Sequence, residues 1–141
     1  MSETIREIMT TDVITVKVND SVIKAAQIMS HYNIGAVPVM DANNQIVGIL
    51  TDRDIVLRTV ANGGNLDQVQ IQQVMTTNIV TTSPGAGIDE ASQLMASQQI
   101  RRLPVVENDR LLGMVSLGDL ATDRTAADEA GDALHQISEG S

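Results

Sequence analysis

The chain repeats itself. The segment Met9-Thr10-Thr11-Asp12-Val13-Ile14-Thr15-Val16 returns 66 residues later as Met75-Thr76-Thr77-Asn78-Ile79-Val80-Thr81-Thr82. The same spacing pairs Ile5 with Ile71, Ala25 with Ala91, Gln27 with Gln93 and Met29 with Met95. It goes on to pair Ile34 with Ile100, Pro38 with Pro104 and Val39 with Val105. One residue is lost in the turn that follows, and at a spacing of 65 Gly48 meets Gly113 and Asp54 meets Asp119. Agreement over most of both halves identifies two copies of one supersecondary unit.

Both copies carry the same signals. Val13 to Val16 and Ile79 to Thr82 are β-branched runs that predict short strands. Asp20 or Ser21 can cap a helix whose Val22, Ala25, Ala26 and Met29 recur at helical spacing, as Ile88, Ala91, Leu94 and Met95 do in the second copy. Two strands about a polar turn follow, Ala36 to Met40 with Ile46 to Thr51, and Leu103 to Val106 with Leu111 to Ser116. Helices begin near Asp52 and Leu117, and Asn62-Gly63-Gly64-Asn65 reads as a helix stop and linker. A strand–helix–strand–strand–helix unit of about 60 residues is too small to bury a good core alone. The expected fold is therefore one α/β (α+β) domain of two β-α-β-β-α repeats with pseudo-twofold symmetry: 1–65, 66–121, then an acidic helical tail over 122–141. The tail alternates Asp123, Asp128, Glu129 and Asp132 with Ala126, Ala127, Ala130, Ala133, Leu134 and Ile137, the pattern of a helix covering an exposed edge.

Composition narrows the function. There is no Cys, so disulfides, thiolate chemistry and Cys-ligated metals are excluded. The absence of Phe and Trp, with Tyr32 the one aromatic, predicts an aliphatic core in which the matched Met9, Met29, Met75 and Met95 take part. Eighteen acidic against nine basic residues, net −9, argue against a nucleic-acid surface. No apolar run is long enough to span a membrane, and the N-terminus has no basic region leading into an apolar stretch. These features predict a cytoplasmic protein.

The most pointed motif follows each hairpin. Gly48-Ile49-Leu50-Thr51-Asp52-Arg53-Asp54 and Gly113-Met114-Val115-Ser116-Leu117-Gly118-Asp119 share glycine, two apolar residues, a hydroxyl, two variable residues and aspartate. A helix start behind a strand presents backbone N–H groups and a positive dipole end to an anion. Thr51 and Ser116 can donate to a phosphate or ribose, and Asp54 and Asp119 can accept both hydrogen bonds of a vicinal diol. The same residues also make ordinary N-caps.

The duplication, the Pro-Val strands (Ala36-Val37-Pro38-Val39 and Arg102-Leu103-Pro104-Val105) and the paired Gly-to-Asp motifs resemble a tandem pair of cystathionine-β-synthase (CBS) domains, a Bateman module of the small stand-alone type, over roughly Ile5 to Ala121. That resemblance implies a homodimeric regulatory module binding an adenine nucleotide (AMP, ADP or ATP), with S-adenosylmethionine or NAD(H) as the lesser alternatives, in clefts between repeats. Carried onto this chain, the first site joins Thr51, Arg53 and Asp54 to Ile79, Val80, Ile100, Arg101, Arg102 and Pro104. The second joins Ser116 and Asp119 to Val13, Ile14, Ile34, Gly35, Ala36 and Pro38.

Charge separates the two. The first gathers Arg53, Arg101 and Arg102, whose guanidinium forks suit phosphate oxygens. The second has Gly118, Gly35 and Ala36 at the matching places. Surface ion pairs with Asp52, Glu107 or Asp109 are the alternative use of those arginines. No enzyme is expected: His31 and His135 lack partners for a metal or a relay, and no nucleophile–base arrangement accompanies Asp52 and Asp54. The competing reading is a dimeric scaffold that binds a protein partner and no nucleotide.

Overall fold

The computed structural model describes residues 4–63 and 65–122. In chain order the elements are α1 (Ile5–Ile8), β1 (Val16–Lys17), α2 (Val22–Tyr32), β2 (Ala36–Met40), β3 (Ile46–Thr51), α3 (Asp52–Arg58), α4 (Ile88–Gln98), β4 (Arg102–Glu107), β5 (Arg110–Ser116) and α5 (Leu117–Thr122). Short 3-10 turns at Val60–Asn62, Leu66–Gln68 and Ile71–Gln73 lie between α3 and α4. The mixed α/β content follows the sequence pattern, although α1 carried no signal in it. The tail helix expected after Thr122 lies outside the described residues.

Two compact units result, one of Ile14–Ile79 and one of the residues up to Val13 with those from Val80 onward. In the first, α2 is capped by Ser21, whose Oγ accepts the Lys24 N–H at 3.1 Å, and it buries Val22, Ala25 and Met29. It stops at Asn33, which takes the left-handed conformation (φ 54°) that asparagine tolerates well. β2 and β3 pair antiparallel from Ala36 opposite Thr51 to Met40 opposite Ile46, and β1 joins β2 in parallel with Val16 opposite Val39. The other unit repeats this with α4, with β4 antiparallel to β5, and with a single parallel bridge from Thr82 to Val105 where β1 would lie.

The strands expected over Val13 to Val16 and Ile79 to Thr82 thus shrink to Val16–Lys17 and to the Thr82 bridge. β-branched residues mark a surface that suits a strand, and Val13, Ile14, Ile79 and Val80 have the propensity without a ladder partner. The turn explains the lost residue. The second hairpin closes through Asn108 (φ 54°) and Asp109 (φ 64°), a two-residue loop with both centres left-handed, which suits strand twist. The first needs the longer Asp41–Gln45 loop, where Asp41 Oδ1 accepts the N–H groups of Asn43 and Gln45, each at 2.9 Å.

Each core contains a segment from the other end of the sequence pattern. Ile5, which leads the first repeat, is fully buried among Ile88, Ala91, Met95, Leu103, Val115 and Leu120 of the second. Ile71 is fully buried among Val22, Ala25, Val37, Val39 and Leu50 of the first. The backbone bonds match one for one: Ile5 N–H to Ala86 O and Arg6 N–H to Pro84 O, against Ile71 N–H to Asp20 O and Gln72 N–H to Val18 O, all 2.9–3.0 Å. The leaders have changed places.

Glycine makes room for them. Thr10 pairs with Met114 and Thr76 with Ile49, each by two backbone hydrogen bonds, so the leader runs against the strand beside Gly113 or Gly48. A Cβ on Gly113 would stand 2.6 Å from Thr10 O, and one on Gly48 would stand 2.8 Å from Thr76 O. The Met-Thr motif and the distant glycine are two sides of one contact. Met29 and Met95 join the buried cores as expected, whereas Met9 and Met75 are half-buried and lie over these glycines.

Candidate ligand-binding site

Thr51 ends β3 and caps α3. Its Oγ1 accepts the Asp54 N–H at 3.0 Å while Asp54 Oδ2 accepts the Thr51 N–H at 3.1 Å, a reciprocal capping box. Ser116 and Asp119 do the same at α5, with Asp119 N–H to Ser116 Oγ at 3.1 Å and Ser116 N–H to Asp119 Oδ2 at 2.8 Å. The repeated hydroxyl–x–x–Asp spacing is thus a repeated cap.

The expectation of free donors at the start of α3 needs correction. Asp52 N–H donates to Gly35 O at 2.9 Å, Arg53 N–H to Asp52 Oδ1 at 2.7 Å and Asp54 N–H to Thr51 Oγ1. These donors are taken by the cap, the first turn and Gly35, which leaves side chains to recognise an anion. Gly35 is explained by the same contact, since its Cβ would stand 3.2 Å from Asp52 Oδ2. In the second repeat Leu117 replaces Asp52 and is buried, its N–H donates to Arg101 O at 3.0 Å, and arginine stands where glycine was needed.

The three arginines are exposed. Among the described residues none of them makes an ion pair: Glu107 pairs with Arg6 at 3.9 Å, Asp20 with Lys24 and Asp54 with Arg58. The alternative use of these cations as surface pairs with Asp52, Glu107 or Asp109 is not found. Ile100 and Val80 are half-buried against the core of their unit and Pro104 is buried. In the other unit Ile79, Ile34, Gly35 and Ala36 are half-buried and Pro38 is buried, as is Ile14 in part.

Within each unit the strand start faces the cap. Ala36 is the cross-strand partner of Thr51, and Arg102 is that of Ser116. The residues expected to share one ligand divide between units: Thr51, Arg53, Asp54 and Ile79 belong to one, and Val80, Ile100, Arg101, Arg102 and Pro104 to the other. Likewise Ser116, Asp119 and Val13 belong to one, and Ile14, Ile34, Gly35, Ala36 and Pro38 to the other.

Two residues outside the expected site sets attend Asp54. The carboxylate is buried, 8% exposed, beside the Thr76 hydroxyl and the Arg58 guanidinium. The Met75-Thr76 repeat was a visible signal for the first; for Arg58, which the second repeat replaces with Asp123, the signal was its place four residues after Asp54 on the same helix.

The family model for the CBS domain matches residues 5–60 and 71–123. The chain is a pair of CBS domains. CBS domain-containing protein YhcV of Bacillus subtilis is 45% identical over 134 residues, 95% of this chain and 94% of that protein. The crystal structure of Hypoxic Response Protein I with two coordinated zinc ions has a TM-score of 0.78 at 32% identity, covering 85% of this chain and 98% of the other. A CBS domain pair in complex with 5′-methylthioadenosine and S-adenosyl-L-methionine has a TM-score of 0.74 at 28% identity, covering 86% and 95%. In the present CBS pair no three His, Cys, Asp or Glu side chains gather to hold a metal among the described residues, and no described helix is long and apolar enough to cross a membrane.

Proposed function

We propose that this CBS pair is a regulatory module that senses an adenine nucleotide and performs no catalysis of its own. The observation that carries the reading is the set of exposed Arg53, Arg101 and Arg102, without an ion pair among the described residues, in a chain of net −9. Cations left without carboxylates in so acidic a chain suit an anionic ligand, and guanidinium groups fit phosphate oxygens two at a time. A related CBS pair solved with adenosine-containing ligands supports the class of base and sugar.

In this proposal the phosphate is held by Arg53, Arg101 and Arg102, the ribose by Thr51 and Asp54, and the base by the aliphatic Ile79, Val80, Ile100 and Pro104. The set around Ser116 and Asp119 has no cation at the matching positions and binds weakly, takes a less anionic ligand or stays empty. The module acts as a homodimer on a regulated protein. Val56, Leu57 and Val60 about α3 are each about half exposed, an apolar face suited to such contacts. Ligand changes the dimer or partner surface only as far as it binds two arrangements of the module unequally.

The test is calorimetry of the nucleotide-free protein against AMP, ADP, ATP, S-adenosylmethionine and NADH. One adenine ligand binds, and changing Arg101 and Arg102 together to Ala abolishes most of that binding. Unchanged affinity in the double variant removes the phosphate assignment. A flat panel at millimolar ligand favours the scaffold reading, to which the closed first turn of α3 already lends some support.

A further inference from the structure

Asp54 does more than cap α3. Of its two oxygens, Oδ2 accepts the Thr51 N–H at 3.1 Å, and the Thr76 hydroxyl lies nearly equidistant from both, 3.4 Å from Oδ1 and 3.3 Å from Oδ2. A donor on the axis of a carboxylate occupies the position from which a vicinal diol would bridge the same two oxygens. Arg58 fixes that arrangement. Its guanidinium stands 3.8 Å from Asp54 Oδ1 and donates to Val74 O at 3.1 Å and Met75 O at 3.3 Å, holding residues 74–76 against the carboxylate. Thr76 is held in turn by two backbone bonds to Ile49, each 2.9 Å.

We infer that the Thr76 hydroxyl is a built-in occupant of the ribose position on Asp54, which a nucleotide must displace. The inference rests on the nucleotide reading above and deepens it. With Asp54 only 8% exposed, the diol gains its two hydrogen bonds at the expense of one already made. Displacement of the hydroxyl strains the pairing of Thr76 with Ile49. Four residues beyond Thr76 the chain passes into the other unit at Val80. Occupancy of the ribose position is thereby transmitted to the connecting segment of the chain, and Thr76 and Arg58 are the positioning residues that transmit it.

The experiment compares the binding of AMP and 2′-deoxy-AMP to the full chain and to Thr76→Val and Thr76→Ser, with amide hydrogen exchange on the unmodified protein. Removing a hydroxyl that competes for a charged acceptor raises AMP affinity about tenfold in Thr76→Val. The 2′-deoxy compound, which lacks the diol, gains less, and Thr76→Ser stays at the unmodified level. AMP also speeds exchange of the Ile49 and Thr76 amides. AMP binding that is unchanged or weaker in Thr76→Val overturns this inference alone, as does exchange at Ile49 and Thr76 that AMP slows or leaves unchanged. No AMP binding in any of the three proteins overturns the AMP reading together with it. Should Thr76→Val fail to fold, the exchange measurement on the unmodified chain decides.

Discussion

Gly113→Ala tests the packing of the exchanged leader most directly. The added methyl would stand 2.6 Å from Thr10 O and 3.0 Å from Met9 Sδ. Carbon–oxygen contacts settle at about 3.3–3.6 Å, so the carbonyl must retreat by about 0.7 Å. That carbonyl accepts the Met114 N–H at 2.9 Å, and the Thr10 N–H donates to Met114 O at 2.8 Å. Retreat stretches both to about 3.5 Å, beyond the range in which N–H···O bonds hold. Two backbone bonds at about 1 kcal/mol each give a loss of about 2 kcal/mol, within the cost of about 1–3 kcal/mol typical of overpacking. Urea denaturation followed by circular dichroism reads the loss, and hydrogen exchange at the Thr10 and Met114 amides shows where it falls. Gly85→Ala is the control, since nothing lies within 4 Å of its added Cβ. Gly113→Ala as stable as the unmodified protein, with the Thr10 amide still protected, would refute the close approach of leader and strand.

Two further substitutions remove irregularities. Ser92 Oγ is buried without a hydrogen-bond partner, and the matching residue of the first repeat is Ala26. Ser92→Ala is expected to stabilise by about 1 kcal/mol, by relieving that desolvated group and improving helix propensity; a lower denaturation midpoint would show that the hydroxyl is bonded. Gln99 ends α4 at φ 56°, where Asn33 serves α2. Gln99→Gly should raise stability by about 0.5–1 kcal/mol because glycine takes that conformation without a Cβ clash, and a loss in thermal melting would contradict the left-handed cap.

The longer helices, the two hairpins and their order were legible because they rest on local signals. Ser21 before Val22, Ala25 and Met29 is a cap followed by a helical stripe, and the polar turns lay where the two hairpins close. The exchange of leaders was not legible. Ile5 matches Ile71 and Met9 matches Met75, but a match between copies is silent on which copy each packs against, and Ile5 meets Ala86 across most of the chain. Of the candidate site, the hydroxyl and aspartate of each motif were legible as a pair, and their mutual hydrogen bonds make each pair a helix cap. Thr76 escaped because Asp54 lies 22 residues away and only folding brings the two together, whereas Arg58 stands four residues after Asp54 on one helix, a spacing legible in the sequence.

The traded leaders set an order of events on the ribosome. The first repeat cannot complete its core when its last helix emerges, because Ile71 and Val74 have yet to be made. The leader at Ile5 has its seat among α4, β4 and β5, which are made only after the whole first repeat. A nascent chain therefore carries an unsatisfied apolar segment and an open core until β5 has emerged, and two neighbouring nascent chains can fill each other's vacancies with the same contacts. The duplication thus yields a protein in which neither copy matures alone, and its cotranslational hazard is pairing between chains.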